Sequence, residues 1–297
     1  MEPSTILITG CTAGIGRAAA LTFARKGHRV FATGRRESVL AELREEGKGT
    51  KLETLVLDVT DAASIEAARA EVDRRTNGYG LDALVNNAGF GVLGPAECVE
   101  DSELRRQFDT NVFGLMAVTR AFVPAMRERG NGRVVNISSM AGRITFPMMG
   151  VYHSSKYALE ALSDALRNEL AAFGVKVVLV EPGFIRTEFT DRAMSEIDRF
   201  STSPYGPVME QANRVRDRFE STGVDASVVV RAIEKAITSR SPRTRYVAPF
   251  STYFVLALFR LLPTGVMDAL LRSVFGLNRA ALASAKPAKQ LADSPKA

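Results

Sequence analysis

Across the first 247 residues, short β-branched runs alternate with longer stretches of helical period, and this alternation constrains the fold more than any other feature of the chain. Parallel strands cannot be joined by a tight turn, so each strand–helix–strand step is a crossover, and crossovers within one sheet are right-handed. Repeated steps of this kind build an α/β, Rossmann-type doubly wound parallel sheet with helices on both faces. The expected strands are 5–9, 29–33, 51–57, 83–86, 132–138, 176–181 and 244–248, with helical stretches such as 15–26, 37–45 and 62–76 between them. With 297 residues and 46% hydrophobic content the chain has enough apolar mass for one large core. The expected division is a catalytic domain over 1–248, containing a long insertion at 184–223 that acts as a substrate lid. An apolar helical extension at 249–284 and a disordered Lys/Ala/Pro-rich tail at 285–297 follow.

The first strand runs into Gly10-Cys11-Thr12-Ala13-Gly14-Ile15-Gly16 and then a helix. Glycine is required where backbone must turn tightly and approach a pyrophosphate, and a helix N-terminus offers free N–H groups and partial positive charge. A glycine triplet alone is weak evidence, but between a strand and a helix in a βαβ context it points to a dinucleotide site. The second strand ends in Gly34-Arg35-Arg36, with no carboxylate before Glu37. A ribose hydroxyl calls for Asp or Glu at that place and a 2′-phosphate for arginine, which favours NADP(H) with Arg35 on the phosphate. The competing reading is that both arginines are a solvated helix start.

Tyr152 and Lys156 open a helical stretch reaching residue 172, and residues four apart share a helix face. A phenol of ordinary pKa about 10 is a poor base at neutral pH, and a neighbouring cation is expected to lower that value. Ser139 lies thirteen residues before Tyr152 at the end of a strand, placed to hold a substrate oxygen, with Ser138 competing for the role. His153 points about 100° around the helix and is expected to pack.

Taken together, Thr9-Gly-x-x-x-Gly14-Ile-Gly16, Asn86-Asn-Ala-Gly89, Asn111, Ser139, Tyr152-x-x-x-Lys156 and Pro182-Gly183 resemble a short-chain dehydrogenase/reductase in order and spacing, over residues 4 to about 248. The resemblance implies that Tyr152 is the acid/base, Ser139 orients the substrate oxygen, Lys156 binds the nicotinamide ribose, and Asn111 holds a water linking Lys156 to solvent. It further implies cofactor contacts from Gly10, Thr12, Gly14, Ile15, Gly16, Asp58, Val59, Asn87, Ala88, Gly89, Tyr152, Pro182, Gly183, Ile185 and Thr187, with Asp58 and Val59 at the adenine and Ile185 and Thr187 at the carboxamide. A homo-oligomer, dimer or tetramer, is implied as well.

The stretches 87–95 and 155–162 resemble the hydroxysteroid and retinol dehydrogenase branch, which implies a bulky apolar alcohol or ketone; acyl-thioester or small-ketone reduction is the alternative. Candidate pocket residues are Leu93, Phe146, Met148, Met149 and Phe184. The apolar helices expected within 250–277 carry three readings: cover of the pocket, subunit interface, or peripheral contact with a membrane. Net charge +6 and a sequence pI near 9.5 suit a phosphorylated cofactor, an anionic membrane or nucleic acid, but no helix-turn-helix, zinc pattern or basic-aromatic stripe supports the last. No metal site is expected. Two cysteines, Cys11 and Cys98, write no disulfide framework, and no apolar stretch reaches the roughly 18–20 residues that span a bilayer, so a cytoplasmic setting is expected. A cofactor-binding regulator without chemistry would have no need of the intact Ser/Tyr/Lys/Asn set.

Overall fold

The computed structural model describes residues 4–187, 197–209, 211, 214 and 223–283. The parts of the 184–223 insertion outside those ranges, and the tail expected to be disordered at 285–297, lie outside the described residues. Seven parallel strands form one sheet: β1 (Thr5–Ile8), β2 (Arg29–Gly34), β3 (Leu52–Val56), β4 (Ala83–Asn86), β5 (Gly132–Ile137), β6 (Val175–Pro182) and β7 (Arg245–Ala248). Their spatial order is β3-β2-β1-β4-β5-β6-β7. The chain winds outward through β1, β2 and β3, then returns to place β4 on the other side of β1, with Ile6 paired to both Val30 and Ala83. That reversal between β1 and β4 opens a crevice at the strands' carboxyl ends, where ligands bind in open α/β sheets.

Residues alternate between sheet faces with period two, and both faces are covered. Ile6, Ile8, Val30, Ala32, Ala83, Val85, Val135 and Val178 point to one side, where α1 (Gly14–Arg25) contributes Ala20 and Phe23. On the same side a helix at Ser227–Thr238 contributes Val229 and Ile233. Leu7, Phe31, Leu84, Val134 and Val177 point to the other, against Ile65 and Val72 of α3 (Ala62–Arg75) and Val118 and Phe122 of α5 (Leu115–Glu128). Such double burial is why the strands read as near-continuous apolar runs rather than alternating ones.

Between β2 and β3 lies α2 (Glu37–Glu46), and α4 (Asp101–Phe108) precedes α5. One π-helical turn, Asp109–Gly114, joins α4 to α5. The long helix α6 (Gly150–Ala171) packs against β6. The helix at Ser227–Thr238 is α7, and beyond β7 follow α8 (Thr252–Leu261), α9 (Thr264–Val274) and α10 (Arg279–Ala283). No helix among the described residues is long and apolar enough to cross a membrane.

Candidate active site

The glycine turn after β1 has the backbone that its residue types demand. Gly10 and Gly14 adopt φ of +73° and +56°, and a Cβ at Gly10 would lie 2.8 Å from the Ala88 Cα. At Gly16 an added Cβ would collide with the Asn87 amide and the Gly10 carbonyl. The N-cap of α1, Ala13, is extended and contributes no side-chain hydrogen bond, so the first-turn N–H groups near Gly14 and Ile15 remain available to an anion. Thr12 packs beside Gly34, which sets the exposed Arg35 and Arg36 next to the turn, and neither arginine forms an ion pair among the described residues.

Two strands are tied at the crevice. Thr9 Oγ1 accepts the N–H groups of Asn87 and Ala88, each at 2.9 Å, while the Asn87 amide donates to the Thr9 and Gly10 carbonyls at 2.9 and 3.1 Å. Beneath them, Asn86 donates to Thr119 and Asn136, and Asn136 to Ser163, each at 2.9 Å, forming a buried polar ladder from β4 through β5 to α6. Gly89 sits against Asn111, whose amide both accepts from Phe90 N and donates to Phe90 O and to Ser155 Oγ at 3.2 Å. Asn111 lies within the π-helical turn. That widened backbone is a feature the sequence pattern did not disclose, and π-bulges are frequent at functional sites. Asp58 Oδ1 accepts from Thr60 N and Oγ1, and the Val59 carbonyl closes on Gly114, so this pair borders the crevice from the β3 side.

Ser139, Tyr152 and Lys156 converge at the end of β5. The two serines separate cleanly. Ser139 Oγ caps Ala141 N at 3.1 Å and is hydrogen-bonded to Tyr152, whereas Ser138 is buried with its hydroxyl turned toward Gly142 and Glu160. The Lys156 ammonium sits 5.9 Å from the Tyr152 ring centroid and donates to the Ile137 carbonyl at 2.9 Å. Burial pushes the Tyr152 phenol up to about 12, with the Ser139 hydrogen bond pulling the other way. Burial also pushes Lys156 down to about 8, opposed by Glu160. The phenol therefore moves opposite to the direction expected from the Tyr–Lys spacing. That spacing reveals the neighbouring cation but not the desolvation, and among the protein's own groups desolvation is the larger effect. His153 packs on Phe146 and binds the Ile144 carbonyl, a core role as its helix position suggested.

Pro182 and Gly183 close the crevice from β6. The Pro182 carbonyl faces Ser139, and Gly183 lies so close to the Thr252 hydroxyl that a Cβ would overlap it. Ile185 is buried and bridges to Val224, and Thr187 comes within van der Waals range of the Gly14 position, so the β6 loop meets the glycine turn across the crevice. Of the apolar candidates, Leu93 is buried with Tyr152 and Met149 packed against it. Phe146 and Phe184 belong instead to a cluster with Leu256 and Phe259 of α8 and Leu271 of α9, together with Phe275. Met148 packs with Phe200, Val208 and Met209. The extension's inner face thus packs on Phe146 and Phe184 through residues more than 100 positions away in sequence from Phe146. Its outer face is exposed: Phe250 72%, Phe254 69% and Leu261 79%. No metal-binding cluster of His, Cys, Asp or Glu occurs among the described residues.

A parallel sheet with this strand order, a glycine turn at its switch point and a serine, tyrosine and lysine gathered at the end of β5 define an oxidoreductase architecture. Residues 4–198 match the family model described as short chain dehydrogenase. The chain belongs to the short chain dehydrogenase family of oxidoreductases. It is 37% identical over 267 residues to an NADPH-dependent 3-dehydrocapnine reductase of Ornithobacterium rhinotracheale, covering 88% of this chain and 94% of the relative. It is 39% identical over 285 residues to retinol dehydrogenase 16 of Rattus norvegicus, covering 91% and 88%. Among solved structures, the closed form of a serine dehydrogenase complexed with NADP+ superposes with a TM-score of 0.70 at 30% identity, covering 82% of this chain and 93% of that one.

Proposed function

We propose that the protein is an NADP(H)-dependent oxidoreductase that interconverts a carbonyl and an alcohol on a bulky hydrophobic substrate such as a steroid, retinoid or lipid-like ketone. The observation that carries this reading is the Ser139–Tyr152 hydrogen bond at the crevice mouth with the buried Lys156 one helical turn away.

The crevice fits the cofactor. Gly10 lets backbone approach a pyrophosphate, the uncapped start of α1 presents N–H groups to it, and Arg35 stands where a 2′-phosphate needs a guanidinium and a ribose hydroxyl would need a carboxylate. The nicotinamide, when bound, supplies or accepts the hydride. Ser139 donates a hydrogen bond to the substrate oxygen and fixes it beside Tyr152. In reduction the neutral phenol gives its proton to that oxygen as negative charge develops there. Lys156, as a cation, stabilises the phenolate left behind, and Asn111 and Ser155 hold the polar lining next to it. The same group gives its proton in reduction and takes one back in oxidation, so the arrangement serves either direction.

Leu93, against which Tyr152 packs, and Met149, which joins Leu93 to Phe146, Phe184, Leu256 and Phe259, make an apolar wall, in keeping with the retinol and 3-dehydrocapnine named for the relatives. A panel of steroids, retinoids, acyl thioesters and simple ketones, followed at the NADPH absorbance band, tests the reading. Turnover confined to thioesters or small ketones replaces the bulky substrate, and no turnover anywhere removes the reaction.

Peripheral contact with an anionic bilayer through 250–277 is part of the same proposal. The outward aromatic and aliphatic side chains of α8 and α9 are supported by a neighbouring groove lined with Arg231, Lys235, Arg243, Tyr246 and Tyr253. Sedimentation with anionic and zwitterionic vesicles tests it, with binding expected only to the former and lost in Phe250→Ser/Phe254→Ser. Self-association into a homo-oligomer is the remaining proposal. It draws on the exposed Leu104, Phe113 and Tyr157 on the α4–α6 side and is tested by light scattering.

A further inference from the structure

Behind the catalytic lysine lies a buried ionic cluster that none of the roles above uses. Glu160 is one turn beyond Lys156 on α6, and both are 7% exposed. Its Oε2 accepts from Arg245 Nε of β7 at 3.0 Å, and Arg245 Nη2 reaches Asp164 Oδ2 at 2.7 Å. The same Arg245 Nε lies 3.0 Å from Glu181 Oε1 of β6 without hydrogen-bond alignment, and Arg143 donates to Glu181 Oε2 at 3.1 Å. The other Glu160 oxygen, Oε1, has no hydrogen-bond partner among the described residues. Gly142 is packed so tightly here that an added Cβ would meet Glu160 Cγ at 2.7 Å and the Lys156 carbonyl oxygen at 3.0 Å, so the carboxylate cannot drift from the lysine's turn.

We propose that Glu160, fixed by Arg245 one turn from Lys156, is a positioning residue that holds the catalytic lysine in its cationic form. The proposal rests on the reading of Tyr152 and Lys156 as the proton-handling pair. Three carboxylates, Glu160, Asp164 and Glu181, face three arginines, Arg143, Arg245 and, on Asp164, Arg167, which leaves the cluster near neutral as a set. Glu160 is the carboxylate on the lysine's own helix face, and its negative charge opposes the desolvation that otherwise drives the lysine's proton away. Glu181, raised by burial and then by Glu160, faces the arginines on the strand side. On the same face Tyr152 lies beside the lysine, and three uncharged groups approach α6: Asn111 from the π-helical turn, Ser138 beside Gly142, and Asn136 from β5.

The test is Glu160→Gln, which keeps shape and leaves Arg245 with Asp164 and Glu181. Two readouts are taken: the pH profile of kcat for carbonyl reduction, and the tyrosinate absorbance titration of the protein alone, with Tyr152→Phe subtracted to isolate residue 152. Removing a buried negative charge makes both the ammonium and the phenol give up protons more readily, so the alkaline limb and the phenolate titration should both move to lower pH by about half a unit or more. The low-pH plateau of kcat should stay close to that of the unmodified protein. Glu160→Asp, which draws the charge back by one methylene, should fall between the two and carries the test alone if the glutamine variant does not fold. A limb that stays in place while the whole profile drops, or that moves to higher pH, overturns the proposal. Absence of turnover on every substrate would defeat the functional reading instead, and the phenolate titration would still report on Glu160.

Discussion

Replacing Tyr152 by Phe removes one oxygen from the convergence of α6 and β5 and leaves almost everything else standing. The ring keeps its contact with Leu93, and Ser139 keeps its bonds to Ala141 N and Pro182 O. The structural cost is one hydrogen bond at a half-buried site, about 1 kcal/mol at most. The chemical cost is larger, because general acid catalysis by a positioned side chain contributes about 10²–10⁴-fold, or ~3–5 kcal/mol at 1.36 kcal/mol per decade. The proposed cofactor cradle of Gly10, Gly14, Gly16, Asn87 and Arg35 is untouched. The expectation is therefore kcat lowered by about a hundredfold or more, NADPH affinity unchanged within about twofold, and melting nearly unchanged. Steady-state rates at the NADPH absorbance band, a titration of NADPH fluorescence and a thermal melt measure the three quantities. Parallel loss of affinity and rate, or a rate within a few-fold of the unmodified protein, would refute the assignment of the phenol as proton donor.

Arg35→Asp should lower affinity for NADPH relative to NADH by about tenfold or more, the worth of a charge-assisted bond to phosphate together with new repulsion, and an unchanged ratio in paired titrations would remove Arg35 from the phosphate site. Gly183→Ala forces a methyl group into the Thr252 side chain at the start of α8, so stability should fall by about 1–3 kcal/mol and KM for a bulky substrate should rise as α8 is displaced; an unaltered melt would show that α8 yields freely.

The sheet was legible because parallel strands covered on both faces leave β-branched runs bounded by turns, and each expected strand lies within a residue or two of the observed one. The glycine turn was legible for a similar reason. Residues 10, 14 and 16 answer local backbone needs, and those needs are printed in the residue types. What the chain concealed depends on distant partners. The π-helical turn carries Asn111, whose amide bonds to Phe90 and Ser155, which are 21 and 44 positions away. The displacement of the Tyr152 phenol to about 12 follows from desolvation, which spacing along a helix does not encode. Phe146 and Phe184 looked like open pocket lining, yet their neighbours Phe259 and Phe275 come from the far end of the chain. Glu160 at four residues from Lys156 was visible in principle, but nothing local announces that Arg245 and Glu181 complete its surroundings.

The cross-ties of Thr9 with Asn87 and Ala88 have a mechanical consequence. Four hydrogen bonds stitch β1 to the segment after β4 where the sheet would otherwise part most readily, so that jaw of the cleft is rigid. On the opposite side, Gly183 is joined to β7 by its N–H bond to the Ala248 carbonyl and packs on the Thr252 side chain at the start of α8. A change at Gly183 or Thr252 therefore bears on the α8 side of the cleft and leaves those four ties in place.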